Sequence, residues 1–202
     1  MRGIVAKLIK WTPWPVPALL GPAFVVYLLG APASAWLRYD RDAIFAGQLW
    51  RLVTGHFVHL SGLHLLLNAA ATLLILVGFI APGQPSFTRM FTALLGLMLG
   101  VSIGLLVGST DVEWYVGLSG ILHGLTVLVA VWYLERRFRL VLIAGLLVKL
   151  AWEQTAGAES VFGFELGGAV IVDAHLYGVL TAFLLLCLFF VVAKINAAKT
   201  PG

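Results

Sequence analysis

The sequence predicts an all-α membrane protein, one bundle of six transmembrane helices. Three observations predict it. Of 202 residues, 61% are hydrophobic and 11% are charged, against roughly 45–50% and about 25% in soluble domains. The apolar residues gather into six runs, and the polar residues interrupting those runs recur near one depth. The composition excludes a water-soluble globule, and six crossings of about 20 residues leave about 80 residues for loops.

The runs are 16–37, 57–80, 91–107, 117–134, 140–152 and 168–193, and they form a single domain over 1–202. Ala81-Pro-Gly-Gln-Pro85 closes the second, and Glu135-Arg-Arg-Phe-Arg139 separates the fourth from the fifth. The fifth run is short and carries Lys149. Segment 1–35 imitates a cleavable signal peptide, with a basic start, an apolar middle and Ala-x-Ala-like endings in Ala31-Pro-Ala-Ser-Ala35. Its apolar run is nevertheless long enough to span a bilayer, and it is read here as the first crossing.

Charge then sets orientation. With the amino terminus in the cytoplasm, Arg2, Lys7, Lys10, Arg89, Arg136, Arg137, Arg139, Lys194 and Lys199 fall inside and only Arg38, Arg41 and Arg51 outside. Most acids (Asp40, Asp42, Asp111, Glu113, Glu153, Glu159, Glu165 and Asp173) fall on the outer side or its margin. Both termini are then cytoplasmic. The basic residues lie between apolar runs and form no nucleic-acid patch, so the lipid bilayer is the expected surroundings and no nucleic acid is expected as a partner. A single cysteine, Cys187, excludes a disulfide framework and any zinc-finger spacing.

Polar groups inside a membrane are expensive, so each is a functional candidate weighed against packing. The first cluster is Trp50-Arg51, His56, His59, His64 and Asn68, in which His64 and Asn68 share a helix face at i, i+4 while His59 points elsewhere. Trp50-Arg51 reads as an interfacial anchor. The second is Gly117-Leu-Ser-Gly-Ile-Leu-His-Gly124, with Ser119 and His123 four apart beside Gly120 and Gly124. The third is Asp173-Ala-His-Leu-Tyr-Gly178, where His175, Gly178 and Ala182 form one stripe. The surfaces Gly120/Gly124 and Gly178/Ala182 would press the fourth and sixth helices together beside Ser119 and His175. Gly96, Gly100, Gly104 and Gly108 read as a packing ribbon, and Lys149 with Glu153 at i, i+4 as an ion pair.

In this topology the second, fourth and sixth spans run from outside to inside, which puts His64, Asn68, Ser119 and His175 all in the outer half. A hydroxyl, an imidazole and amide-type donors at one level are what acyl transfer by a serine requires. Ser119 would attack a peptide carbonyl, and His175 would take its proton and return it to the leaving amine. His64, Asn68 and the Ser119 backbone N–H would hold the oxyanion. Asp173 lies two residues from His175 and cannot face it on a helix, so a Ser–His dyad is expected, with Asp173 at the outer interface.

In order along the chain, Trp-Arg, His-x-x-x-Asn, Gly-x-Ser-Gly and Ala-His-x-x-Gly on a six-span core resemble the rhomboid family of intramembrane serine proteases, over about residues 50–182. The resemblance implies Ser119 as nucleophile, His175 as base, and His64 and Asn68 as oxyanion donors. It gives His59 a structural role and Gly117, Gly120 and Gly178 the supporting glycine positions. It also implies cleavage of transmembrane substrates near the membrane surface, without metal or cofactor. Two departures stand out. His123 occupies the position where many rhomboids carry a tyrosine that packs on the catalytic histidine, and the last small-residue stripe ends in Ala182. The Gly-Leu-Ser-Gly-x-Leu-His-Gly string, a short first loop and Lys149-Leu-Ala-Trp-Glu-Gln154 resemble the rhombosortase branch. That branch implies exported bacterial substrates with a C-terminal Gly-Gly motif, a transmembrane helix and a basic tail, cut at the inner membrane of a Gram-negative bacterium by a site facing the periplasm. The alternatives are a general rhomboid protease, a non-catalytic rhomboid-like binding protein, a haem or metal protein using the five histidines, and a small channel.

Overall fold

The computed structural model describes residues 14–78, 86–156 and 166–199. Arg2, Lys7, Lys10, the 81–85 turn, Glu159 and Glu165, all used above, lie outside the described residues.

Eight α-helices and one small sheet account for the described chain in this order: α1 (Pro15–Leu37), β1 (Tyr39–Asp40), α2 (Arg41–Phe45), α3 (Arg51–Thr54), α4 (Gly62–Leu73), α5 (Phe87–Gly108), β2 (Trp114–Tyr115), α6 (Ser119–Tyr133), α7 (Arg136–Ala156) and α8 (Val172–Lys199). A 3-10 turn, Gly55–Phe57, extends α3, and a π turn, Leu74–Gly78, extends α4. Three helices, Pro15–Leu37, Phe87–Gly108 and Val172–Ala198, are long and apolar enough to cross a membrane, and the pair Arg51–Phe57 with Gly62–Val77 makes a fourth if counted as one. The chain is thus a mostly helical, multi-pass membrane bundle. The other two expected crossings differ in kind. α6 is apolar but short, at 15 residues, and α7 opens on Arg136, Arg137 and Arg139 and carries Lys149 and Glu153.

The second span begins later than the apolar run suggested. The chain turns by 96° between Phe57 and Gly62, where Ser61 caps α4 by accepting the His64 N–H at 3.2 Å. Residues 57–61 therefore form a shelf ahead of α4. α1 bends at Gly30, whose φ of 74° lies in the left-handed region.

α6 is the hub. Gly120, Ile121, Leu122, Gly124, Leu125 and the stretch from Val127 to Ala130 are buried, whereas Leu28 on α1, Val148 on α7 and Leu184 on α8 are at least 70% exposed, as lipid-facing positions would be. Leu97 of α5 and Val179 and Ala182 of α8 complete the core around it. The closest approach is between α6 and α8. A Cβ at Gly178 would overlap the Gly120 carbonyl oxygen, and one at Gly124 would overlap the Gly178 carbonyl oxygen. The α5 ribbon faces α8 as well: Gly100 lies on Thr181, and Gly104 and Gly108 lie on the Tyr177 ring.

The end of the bundle that holds β1 and β2 is tied by polar groups with carbonyl partners. Arg51 is buried, not an interfacial anchor as its position beside Trp50 suggested. Its guanidinium donates to the Ala35 and Arg38 carbonyls at 3.1 and 2.8 Å and to Gln48 at 2.7 Å, fixing the end of α1 over α3. Arg41 does the same for the last turn of α5, donating to the Leu105 and Leu106 carbonyls at 3.3 and 2.8 Å. The antiparallel pair β1–β2 sets Tyr39 opposite Tyr115 and Asp40 opposite Trp114. It stitches the segment after α1 to the segment before α6.

Replacing Gly178 by alanine forces a methyl onto the Gly120 carbonyl and should cost roughly 1–3 kcal/mol by overpacking, read as a lowered thermal midpoint in detergent or lipid. Gly145→Ala, where nothing lies within 4 Å, should leave the midpoint unchanged or slightly raised.

Candidate active site

The site is built at the amino terminus of α6. Gly117 adopts a φ of 114°, a backbone conformation open to glycine, and a side chain there would also run into the His64 ring, with a Cβ 2.9 Å from Nε2. Its carbonyl accepts from the Tyr115 hydroxyl at 2.6 Å, and its N–H donates to the Gly55 carbonyl at 3.2 Å. Burial pushes the Tyr115 phenol above its ordinary value, which keeps it a donor. This turn delivers Ser119 as the first residue of α6. The first-turn N–H groups of a helix have no intrahelical partners and carry partial positive charge, so developing negative charge beside Ser119 meets ready donors.

His175, buried on the first turns of α8, comes from the other side. Its Nε2 lies 3.0 Å from the Ser119 Oγ. Residues 56 apart in sequence are thereby brought to hydrogen-bond distance, with the hydroxyl donating to Nε2. His123 stacks on His175 with centroids 4.0 Å apart and planes 14° apart, so the imidazole at the usual tyrosine position does pack on the histidine. His123 is itself oriented from Nδ1, which donates to the Ser119 carbonyl at 2.7 Å.

One partner of this pair was not foreseen. The expected dyad carries a third group: Glu153 Oε2 on α7 lies 3.1 Å from His175 Nδ1. The expected Lys149–Glu153 ion pair is present as well, at 2.5 Å through Oε1, and Lys149 Nζ also lies 3.0 Å from His123 Nε2. The sequence signal for Glu153 is an acid at the end of an apolar run, and its i, i+4 pairing with Lys149 accounts for it without reference to His175. Asp173 does not touch His175. It accepts from Ser109 at 2.5 Å and from Gln154 at 3.3 Å.

The remaining candidates divide. His64 and Ser119 both line a cavity of about 320 Å³ together with Leu60, Tyr115 and Val116. His64 Nδ1 accepts from the Leu60 N–H at 3.3 Å, which leaves Nε2 as the protonated, donating nitrogen. His59 stands edge-on to the His64 ring, centroids 5.0 Å apart, and its Nδ1 donates to the Phe57 carbonyl at 3.2 Å. Asn68 is buried one turn below, donating to the His64 carbonyl at 3.0 Å, and is not among the residues lining the cavity. His56 lies apart, its Nε2 beside the Met98 carbonyl at 3.0 Å and Ser102 Oγ at 3.1 Å, joining the 3-10 turn to α5. Gly120 and Gly178 form the α6–α8 contact described above.

As metal ligands, His123, Glu153 and His175 offer donor atoms within 4.8 Å of one another. The Lys149 ammonium lies against two of these three side chains, so a cation of the protein's own already serves that cluster.

A polytopic helical membrane protein with a serine and a histidine joined at 3.0 Å beside a cavity belongs to a narrow class. A model of the Rhomboid domain matches residues 46–192, and the chain belongs to the rhomboid family, an intramembrane-protease type of family. No curated protein matches the chain.

His123→Ala should cause partial loss of any Ser119-dependent activity by freeing the His175 ring, with unchanged activity contradicting the stacking role. Asp173→Asn should be tolerated. Both are read from the initial cleavage rate of purified protein in lipid.

Proposed function

We propose that the chain is an intramembrane serine endopeptidase in which Ser119 is the nucleophile and His175 the general base. The observation that carries the reading is the 3.0 Å contact between Ser119 Oγ and His175 Nε2, made at a helix amino terminus beside a cavity. The Ser119 oxygen attacks the scissile carbonyl carbon while its proton passes to Nε2. The carbonyl oxygen becomes an oxyanion held by the Ser119 N–H and by His64 Nε2–H, with Asn68 supporting His64 from below. Collapse of the tetrahedral species breaks the C–N bond, and Nε2–H protonates the leaving amine. Water entering from the outer side then attacks the acyl carbon and gives its proton to Nε2; the C–Oγ bond breaks, Nε2–H returns the proton to Ser119 Oγ, and the carboxylic acid product leaves. No step requires a metal or cofactor.

Within the family, the reading extends to the rhombosortase branch. It is supported by Gly117-Leu-Ser-Gly-Ile-Leu-His-Gly124 and by Lys149-Leu-Ala-Trp-Glu-Gln154. The substrates are then exported bacterial proteins ending in a Gly-Gly motif, a transmembrane helix and a basic tail, from which the protein removes the sorting tail. The distribution of basic residues supports a place in the inner membrane with both termini cytoplasmic and the site facing the periplasm.

Co-expression with a reporter bearing such a tail tests this. Wild type should shorten the reporter on a gel, Ser119→Ala and His175→Ala should not, and His64→Ala should slow cleavage by about 10²-fold, as loss of an oxyanion donor does. Cleavage of other single-span proteins but not of this reporter would mark a general rhomboid protease. No cleavage of any, with good membrane expression, would mark a non-catalytic binding protein.

A further inference from the structure

Around the Ser119–His175 pair the hydrogen bonds close into a ring. Ser119 Oγ–H donates to His175 Nε2 at 3.0 Å, and His175 Nδ1–H donates to Glu153 Oε2 at 3.1 Å. Lys149 donates to Glu153 Oε1 at 2.5 Å and to His123 Nε2 at 3.0 Å, and His123 Nδ1–H donates to the Ser119 carbonyl at 2.7 Å. Each donor meets an acceptor in one tautomeric assignment only. An imidazole that accepts a proton at Nε2 must carry its own at Nδ1, and the atom facing Nδ1 decides that.

We propose that Glu153 is the positioning residue for His175, so that the site operates as Ser119–His175–Glu153 with Lys149 fixing the carboxylate; the proposal rests on the protease reading for its chemistry. Glu153 holds the His175 proton on Nδ1, keeps Nε2 free as base, and faces the imidazolium that forms when the serine proton arrives. Three helices then supply the three groups: α6 the hydroxyl, α8 the base and α7 the acid. The other titratable groups around His175 are His123 on α6, Lys149 on α7, His64 on α4, and Asp173 and Tyr177 on its own helix. Of these, His123 presents its ring face to His175, and Asp173 and Tyr177 are both bonded to Ser109. Only Glu153 bonds Nδ1 among the described residues.

Lys149 makes the proposal testable. In Glu153→Gln the ammonium requires an acceptor, so the amide oxygen turns to Lys149 and the NH₂ faces Nδ1. That selects the tautomer with hydrogen on Nε2, which cannot take the serine proton. Adding Lys149→Met releases the amide, whose oxygen can turn back to accept Nδ1–H.

The experiment uses the full chain in proteoliposomes and an alkyl fluorophosphonate. Ser119 Oγ bonds to phosphorus, the P–F bond breaks with loss of fluoride, and the proton passes to Nε2. Labelling should slow by on the order of 10²-fold or more in Glu153→Gln and recover at least about tenfold when Lys149→Met is added, a reversal that a merely structural role would not give. If Glu153→Gln does not fold, two variants without the lysine charge decide: Glu153→Gln/Lys149→Met, which keeps an acceptor for Nδ1, should label at least about tenfold faster than Glu153→Leu/Lys149→Met, which has none. Wild-type rates in Glu153→Gln, no recovery on adding Lys149→Met, or equal rates in the two charge-free variants would overturn the proposal, as would a wild type that is not labelled. The expected pattern with neither the reporter nor other single-span proteins cut would support the positioning role and remove the protease reading, whereas cleavage of any of them with wild-type labelling of Glu153→Gln would do the reverse.

Discussion

Gly178 of α8 lies so close to the Gly120 carbonyl of α6 that no side chain fits between them, and the rest of the site depends on that contact. In lipid, helices gain no hydrophobic drive from meeting each other, so association rests on van der Waals contact and interhelical hydrogen bonds, and small residues permit both. Gly120 follows Ser119 directly, and Gly178 is one turn from His175. The stripe that packs the two helices therefore also fixes the distance between hydroxyl and imidazole. The α5 ribbon, seated on Thr181 and Tyr177, braces α8 from the far side.

Around this seam, the cost of placing polar groups in an apolar surround is met by pairing. Arg41 and Arg51 cap carbonyls at the end of the bundle near the β1–β2 pair, which holds the approach to Gly117. At the site, five residues from three helices satisfy one another in a ring that closes at the Ser119 carbonyl. The same ring sets the tautomer of each imidazole, so packing, polar satisfaction and chemistry are not separate layers in this molecule. A cavity beside Ser119 and His64 supplies room that the glycine seam does not.

Much of this was legible in the sequence because its signals are local. A glycine at each close approach, a serine one residue from one of them and a histidine one turn from another are spacings that can be read along a helix. The common depth of His64, Asn68, Ser119 and His175 followed from apolar run lengths. What was not legible depended on where helices meet. Lys149 and Glu153 at i, i+4 explained each other, and nothing local says that the second carboxylate oxygen faces His175 on α8. Arg51 reads as an interfacial residue until the end of α1 is seen to offer it two carbonyls. The 96° turn before α4 is hidden because Phe57 and Val58 continue the apolar run. Asn68 shares the His64 face, and nothing local says that one of its amide N–H groups donates to the His64 carbonyl.

The most direct test of the account is a structure of the protein in lipid nanodiscs after reaction with a peptidyl phosphonate. The account predicts one covalent bond, at Ser119 Oγ, with the phosphoryl oxygen directed to His64 Nε2 and the Ser119 N–H, and with the α6–α8 contact at Gly120 and Gly178 intact. An adduct on another residue, or an oxygen directed away from His64 with α6 and α8 separated, would contradict it.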